Sequence, residues 1–160
     1  MFFHFSEEPK IRRFDPRPSR LNRPLVWAIS DAFDFLYLFP RDCPRIVIWA
    51  TEQTTTQDAQ HWLSGHRRVA FVQEHWMDRI SKATIYRYSL PGDHFTALDD
   101  VGMAVSDRPV VPDKIEALTG LPALLAAREV SLRSAPSLDP IKAVWDSTLH
   151  ASGIRLRNAA

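Results

Sequence analysis

Leu25-Val26-Trp27-Ala28-Ile29 and Ile46-Val47-Ile48-Trp49-Ala50 are short apolar runs that flank the segment Ser30-Asp31-Ala32-Phe33-Asp34-Phe35-Leu36-Tyr37-Leu38-Phe39-Pro40. Each run is too short for a helix and is rich in Val, Ile and Trp, so each reads as a buried strand. Between them, Ala32, Phe33, Leu36 and Tyr37 recur at helical spacing. Ser30 stands where an N-cap belongs and Pro40 where a helix must stop. The stretch therefore predicts a strand–helix–strand unit that supplies most of a small core.

Upstream, Phe2-Phe3-His4-Phe5-Ser6 alternates and predicts a first strand, with Phe2, His4 and Ser6 on one face. Lys10, Arg12, Arg13, Arg17, Arg20 and Arg23 follow, interrupted by Pro16 and Pro18. This is a basic loop. It is either simply solvated or turned toward phosphate, since guanidinium forks match phosphate oxygens.

Downstream, Thr54, Thr55 and Thr56 are N-cap candidates for a helix over 57–63, with Ala59, Trp62 and Leu63 apolar and Gly65 as its stop. A strand is expected over 69–72 and a short helix over 74–80. Residues 84–90 make the clearest strand, with Tyr86, Tyr88 and Leu90 on one face and Ile85, Arg87 and Ser89 on the other. Strands over 102–106 and 110–118 (broken near Pro112), a helix from Pro122 to about Arg128 and a strand over 130–133 follow. Ile141, Val144, Trp145, Thr148 and Leu149 then predict an amphipathic helix opening at Asp139 and Pro140. Residues 152–160 form a basic tail. The elements lack a βαβα rhythm. The expected fold is α+β: a single domain over 1–160, with a mixed or largely antiparallel, split sheet flanked by short helices.

The totals narrow the function. A hydrophobic fraction of 45% with 24% charged residues is ordinary for a soluble globular chain. A formal net charge of +1 argues against a general nucleic-acid binder, although local patches are compatible with it. Twelve prolines against five glycines imply rigid turns rather than flexible linkers. A lone cysteine and no apolar segment of membrane-spanning length predict a cytoplasmic protein with no membrane association.

Gly-rich phosphate loops, nucleophile elbows and paired-cysteine motifs are absent. His61, His66, Glu74 and His75 are not spaced to set two ligands one helical turn apart, so no metal is expected. Cys43, between Arg41 and Arg45, reads better as a packed thiol than as a nucleophile, because it leads into a buried strand.

One constellation supports ligand chemistry. His4 and Ser6 on a first strand, Trp27 and Ser30 on and after a second, and arginines such as Arg13 and Arg41 are the parts a nucleotide site needs. An indole stacks a base or nicotinamide, an imidazole bonds a ribose hydroxyl, and guanidinium meets phosphate. The alternative is a histidine and a tryptophan serving only the core.

Two resemblances bear on this. Over nearly its whole length the chain resembles a family of uncharacterised bacterial proteins, through Phe3-His4-Phe5-Ser6-Glu7, Pro24-Leu25-Val26-Trp27-Ala28-Ile29, Leu36 to Arg45, Ile85 to Pro91 and Leu149 to Ala159. That likeness implies no activity. Remotely, the order aromatic-His-x-Ser, Pro-rich loop, Val-aromatic-Ala-x-Ser-Asp, helix, strand is similar to ADP-ribosyltransferase-like proteins. This likeness implies an NAD-dependent ADP-ribosyl or related glycosyl transferase acting on a protein or RNA acceptor. His4 would contact ribose, Trp27 would take the aromatic position, and Ser30 and Asp31 would follow it. Glu74 or Asp107 would be the acid that assists transfer. A small residue often follows the His in that family, whereas Phe5 stands here. Two other readings are carried beside it: a non-catalytic nucleotide- or RNA-binding module, and a structural or interaction protein. The sequence does not fix the oligomeric state.

Overall fold

Strands form where β-branched and aromatic residues run together, and the computed structural model, which describes residues 1–160, gathers them into two separate sheets. In chain order the elements are β1 (Phe2–Ser6), β2 (Val26–Ser30), β3 (Arg45–Trp49), α1 (Thr56–Leu63), β4 (Arg68–Gln73), α2 (Met77–Lys82), β5 (Ile85–Leu90), β6 (Thr96–Ala97), β7 (Met103–Ser106), β8 (Lys114–Leu118), α3 (Leu121–Ala127), β9 (Val130–Ala135) and β10 (His150–Ile154). The chain forms two compact units, each made of two segments. Unit 1 is Met1–Leu38 with Thr84–Thr119, and unit 2 is Phe39–Ala83 with Gly120–Ala160. The α+β class with antiparallel and mixed sheets is as expected. No helix is long and apolar enough to cross a membrane.

Unit 1 holds a six-stranded antiparallel sheet in the order β6-β7-β2-β1-β5-β8. One face carries Val26, Ala28, Tyr88 and Leu90, covered by Phe14 and Val110, with Phe2, Ile11, Tyr86 and Phe95 at its margin. The basic loop crosses this face. Phe14 forms a two-way backbone bridge with Val110, and Tyr88 donates its hydroxyl to the Glu8 carbonyl while accepting from the Ile11 amide at 3.1 Å. On the other face, Arg87 lies 4.6 Å from the Phe3 ring and bridges Asp34 at 3.2 Å and Glu116 at 3.0 Å.

Unit 2 holds a mixed sheet in the order β10-β3-β4-β9, with β4 and β9 parallel and the other pairs antiparallel. Ile46, Ile48, Val69 and Phe71 pack with Leu63 of α1, Leu138, Val144 and Leu149. The opposite face is buried too, at Val47, Ala70 and Val72, so these strands read as continuous apolar runs. Helix α3 lies against β9 and α2. Thr55 caps α1 by accepting from the Asp58 amide at 3.1 Å, as the threonine run implied, and Ser64 and Gly65 end the helix in left-handed backbone.

Several expectations change. The two runs that were expected to frame one unit, β2 and β3, belong to different sheets. The piece between them is 3-10 helical over Asp31–Tyr37, with Phe33 outside helical geometry and no side-chain cap from Ser30. Of the stripe read from the sequence only Leu36 is buried, and Asp34 and Phe35 are buried beside it. The segment Asp139–Asp146 is also 3-10, and it stops before Thr148 and Leu149. Asp58 captures Thr148 instead, accepting from its amide at 2.8 Å and its hydroxyl at 2.6 Å. The first part of the basic tail is strand β10, paired to β3, and the Ala160 main chain is held by the buried Gln73 amide through bonds of 3.1 and 3.2 Å.

Cys43 is fully buried, and burial pushes its thiol up to about 12 against the nearby positive charges of Arg45 and Arg79. It is a packing residue, as read.

Two measurements check these energetics. Arg87 is 17% exposed between carboxylates that are 5% and 27% exposed, so Arg87→Ala should cost about 3 kcal/mol in urea denaturation, the low end for breaking a buried pair. Lys82→Ala, which breaks an exposed pair with Asp78, should cost under about 0.5 kcal/mol. Second, the native state holds the Cys43 proton more tightly than the unfolded chain, whose thiol titrates near 9.0. This contribution to stability is complete below pH 9 and is lost as pH climbs toward 12. Ellman's reagent at pH 8 should react with native protein about 1,000-fold more slowly than with urea-unfolded protein.

Candidate functional site

His4 lies in the middle of β1, half-buried, on the face of the unit 1 sheet that the basic loop crosses. β1 is paired on both sides, Phe2 opposite Ser30 of β2 and His4 opposite Tyr88 of β5. That pairing fixes where the imidazole points. Its ring centroid is 4.6 Å from that of Phe14, which stands edge-on over Tyr88 at 5.2 Å. Nδ1 donates to the Trp27 carbonyl at 3.2 Å. A carbonyl only accepts, so the proton of the neutral ring sits on Nδ1 and the Nε2 lone pair is an acceptor. Ser6 lies two residues on, on the same face, and its hydroxyl accepts from the Glu8 amide at 3.0 Å.

Trp27 does not join this group. Continuing the β1–β2 register sets His4 beside Ala28 and Phe5 beside Trp27, so the side chains of His4 and Trp27 leave the sheet on opposite faces. The histidine meets the tryptophan through its main-chain carbonyl. The indole instead carries the Arg20 guanidinium 5.0 Å from its ring, and Arg20 pairs with Asp100 at 2.8 Å. Ser30, at the end of β2, is confined by Gly102. A Cβ at that glycine, whose φ is +73°, would come within 2.6 Å of the Ser30 hydroxyl and of the Phe33 ring.

The remaining expected residues are scattered. Arg13 is exposed and pairs with Asp15 at 2.8 Å. Asp107 is exposed just beyond β7. Arg41 and Glu74 are exposed residues of unit 2, Glu74 at the start of a 3-10 turn over Glu74–Trp76. The structure thus brings together His4 and Ser6 and seats the loop of Arg13 nearby through Phe14. It does not assemble an acid with them.

Sequence reasoning missed three features. Tyr88 was read as a strand residue, yet its hydroxyl seats the loop that overlies His4. Its inward face in 84–90 was the available signal. In unit 2, Trp49 and His150 are register partners across β3 and β10, with ring centroids 4.4 Å apart and nearly parallel, and His150 Nε2 lies 3.0 Å from the Ser152 hydroxyl. The pairing of β10 creates that cluster, and His-Ala-Ser-Gly-Ile carries little strand signal. A cavity of about 390 Å³ also lies in unit 2, beside α1, lined by Thr51, Thr54, Thr55, Gln60 and His66 among others. None of the expected site residues lines it.

Comparison with known proteins adds a family and no activity. Neither the curated proteins nor the solved structures gave a match. The model of a family of unknown function, DUF6886, matches residues 3–159, which takes in β1 through β10 and both units. The chain is therefore a member of the DUF6886 family.

Proposed function

We propose that unit 1 is a nucleotide-binding module that recognises a ribose-bearing ligand at His4 and does not transform it. One observation carries the reading: the Nδ1 bond to the Trp27 carbonyl holds His4 as the tautomer whose Nε2 accepts from a hydroxyl. The surroundings suit such a ligand. Phe14 supplies an apolar surface beside the imidazole, and Arg12 and Arg13 directly precede Phe14 in the chain, where a phosphate attached to the ribose would meet positive charge.

The binding reading is favoured over ADP-ribosyl transfer by the placement of Trp27. Transfer from NAD would use an aromatic ring against nicotinamide on the same side as the ribose contact, and Trp27 leaves the opposite face of the sheet. The acids that would assist it, Asp107 and Glu74, are both exposed. NAD stays in the proposal as a ligand of the right chemistry, alongside ADP-ribose, and RNA as a polymer of the same unit.

Thermal-shift and calorimetric titrations with NAD, ADP-ribose and a short RNA test this. Saturable stabilisation is expected, reaching about 2.7 kcal/mol at a hundredfold excess over Kd, and a folded His4→Ala protein should lose it. Nicotinamide release from NAD should stay at the uncatalysed rate. Turnover that His4→Ala abolishes would reinstate the transferase. No response to any ligand, with His4→Ala merely less stable, would make His4 a core residue and end the proposal.

A further inference from the structure

The six-stranded sheet of unit 1 ends on β8, which pairs with β5 on one side and has no strand on the other. Such an edge presents a row of main-chain donors and acceptors that can template another strand. β8 is an edge strand of ordinary length. It is five residues long, paired with β5 from Lys114 to Leu118, and Arg87 bonds Glu116 across that pair. It also exposes apolar side chains. Ile115 is 44% exposed, and Val111, just before the strand, is 61% exposed.

The sequence along this edge is self-complementary. Residues 112–118 read Pro112-Asp113-Lys114-Ile115-Glu116-Ala117-Leu118, centred on Ile115. Turned about a two-fold axis through Ile115 and laid antiparallel to itself, the segment sets Ile115 against Ile115 and Lys114 against Glu116 twice. Leu118 then falls against Pro112 twice. Cross-strand opposite charges and apolar pairs are favourable, and like charges directly opposite are not. Centring the axis on Lys114 or on Glu116 would oppose like charges, and centring it on Ala117 would pair no opposite charges, so only the Ile115 register sets Lys114 against Glu116.

We propose that β8 is the interface of a homodimer in which two copies of this chain join by antiparallel strand addition about Ile115, making a continuous twelve-stranded sheet from two six-stranded ones. An isologous contact of this kind closes on itself and covers both edges at once. One strand pair buries less than the roughly 1,200 Å² of a standard interface, so the dimer is in the micromolar class.

Disulfide trapping tests both the contact and its register. In the proposed pairing two copies of residue 115 are direct neighbours, within disulfide reach. Two copies of residue 114 lie on the diagonal, about 8 Å apart, and two copies of residue 117 lie farther, both beyond the roughly 7 Å between Cα atoms that a disulfide tolerates. Ile115→Cys, oxidised in air with copper–phenanthroline, should cross-link at least about tenfold faster than Lys114→Cys or Ala117→Cys. The native Cys43 is buried and stays out of the reaction. Sedimentation equilibrium of the unsubstituted protein should show a reversible monomer–dimer transition, and Lys114→Glu should weaken it at least about tenfold by opposing Glu116 twice. A protein that stays monomeric at about 100 μM, well above a micromolar Kd, would overturn the dimer. Equal cross-linking at residues 115 and 117 would overturn the register.

Discussion

The two-residue period of β1, locked between β2 and β5, decides which side chains unit 1 can bring together. Phe2 faces Ser30 on one side and Leu90 on the other, so β1 cannot slip by one residue without sending every buried side chain to the wrong face. The same period divides chemistry from support. His4 and Ser6 go to the face that the basic loop crosses. Phe3 and Phe5 go to the other, where Phe3 underlies Arg87 and Phe5 stacks on Tyr37 at 6.2 Å. A central strand with partners on both edges is the stiffest place in such a sheet to mount a histidine, and the Trp27 carbonyl is a partner that no side-chain motion removes.

Strands were the legible part of this fold because their signal is local. Tyr86, Tyr88 and Leu90 alternate with Ile85, Arg87 and Ser89, and β5 follows that pattern residue by residue. Thr55 announced α1 because an N-cap acts within a single turn. What failed was pairing and periodicity. Nothing inside Val26–Ser30 or Arg45–Trp49 says that the two strands will join different sheets, because the choice rests on partners sixty or more residues away, in β7 and β10. The spacing of Ala32, Phe33, Leu36 and Tyr37 fits an α-helix, but proximity in number did not decide it. Two short 3-10 turns met across Phe33 and buried Asp34 instead, where Arg87 could reach its carboxylate. β10 stayed hidden for a related reason: a His-Ala-Ser-Gly-Ile run becomes a strand only because β3 offers an edge to it.

The candidate site was legible residue by residue and illegible as a set. His4 and Ser6 sit as alternation on β1 requires. Trp27 was placed correctly on a strand, yet the face it occupies follows from a register that sequence spacing does not reveal. Arg41 and Glu74 belong to unit 2, whereas His4 and Ser6 belong to unit 1. The aromatic contact at the histidine, Phe14, lies in a stretch that reads as a charged loop, and it is held there by its bridge to Val110 and by the Tyr88 bonds to the loop.

The arginines show why a net charge of +1 says little about phosphate. Helices α1 and α3 close in left-handed backbone, at Ser64 and Gly65 and at Glu129, and side chains satisfy carbonyls left over at their ends. In unit 2, guanidinium groups do this. Arg133 donates to the Leu63 carbonyl at the end of α1, Arg128 to the Leu124 carbonyl at the end of α3, and Arg68 to the carbonyl of Arg128 itself at 2.7 Å. Arg45, wholly buried, donates to the Cys43 carbonyl at 3.0 Å. Each places positive charge where helix dipoles or converging carbonyls favour it. These cations are spent on the fold, and in unit 1 Arg87 and Arg20 are committed to carboxylates as well. The proline-braced loop also carries Arg12, Arg17 and Arg23, and Phe14 fixes that loop over His4, whose Nδ1 the Trp27 carbonyl engages.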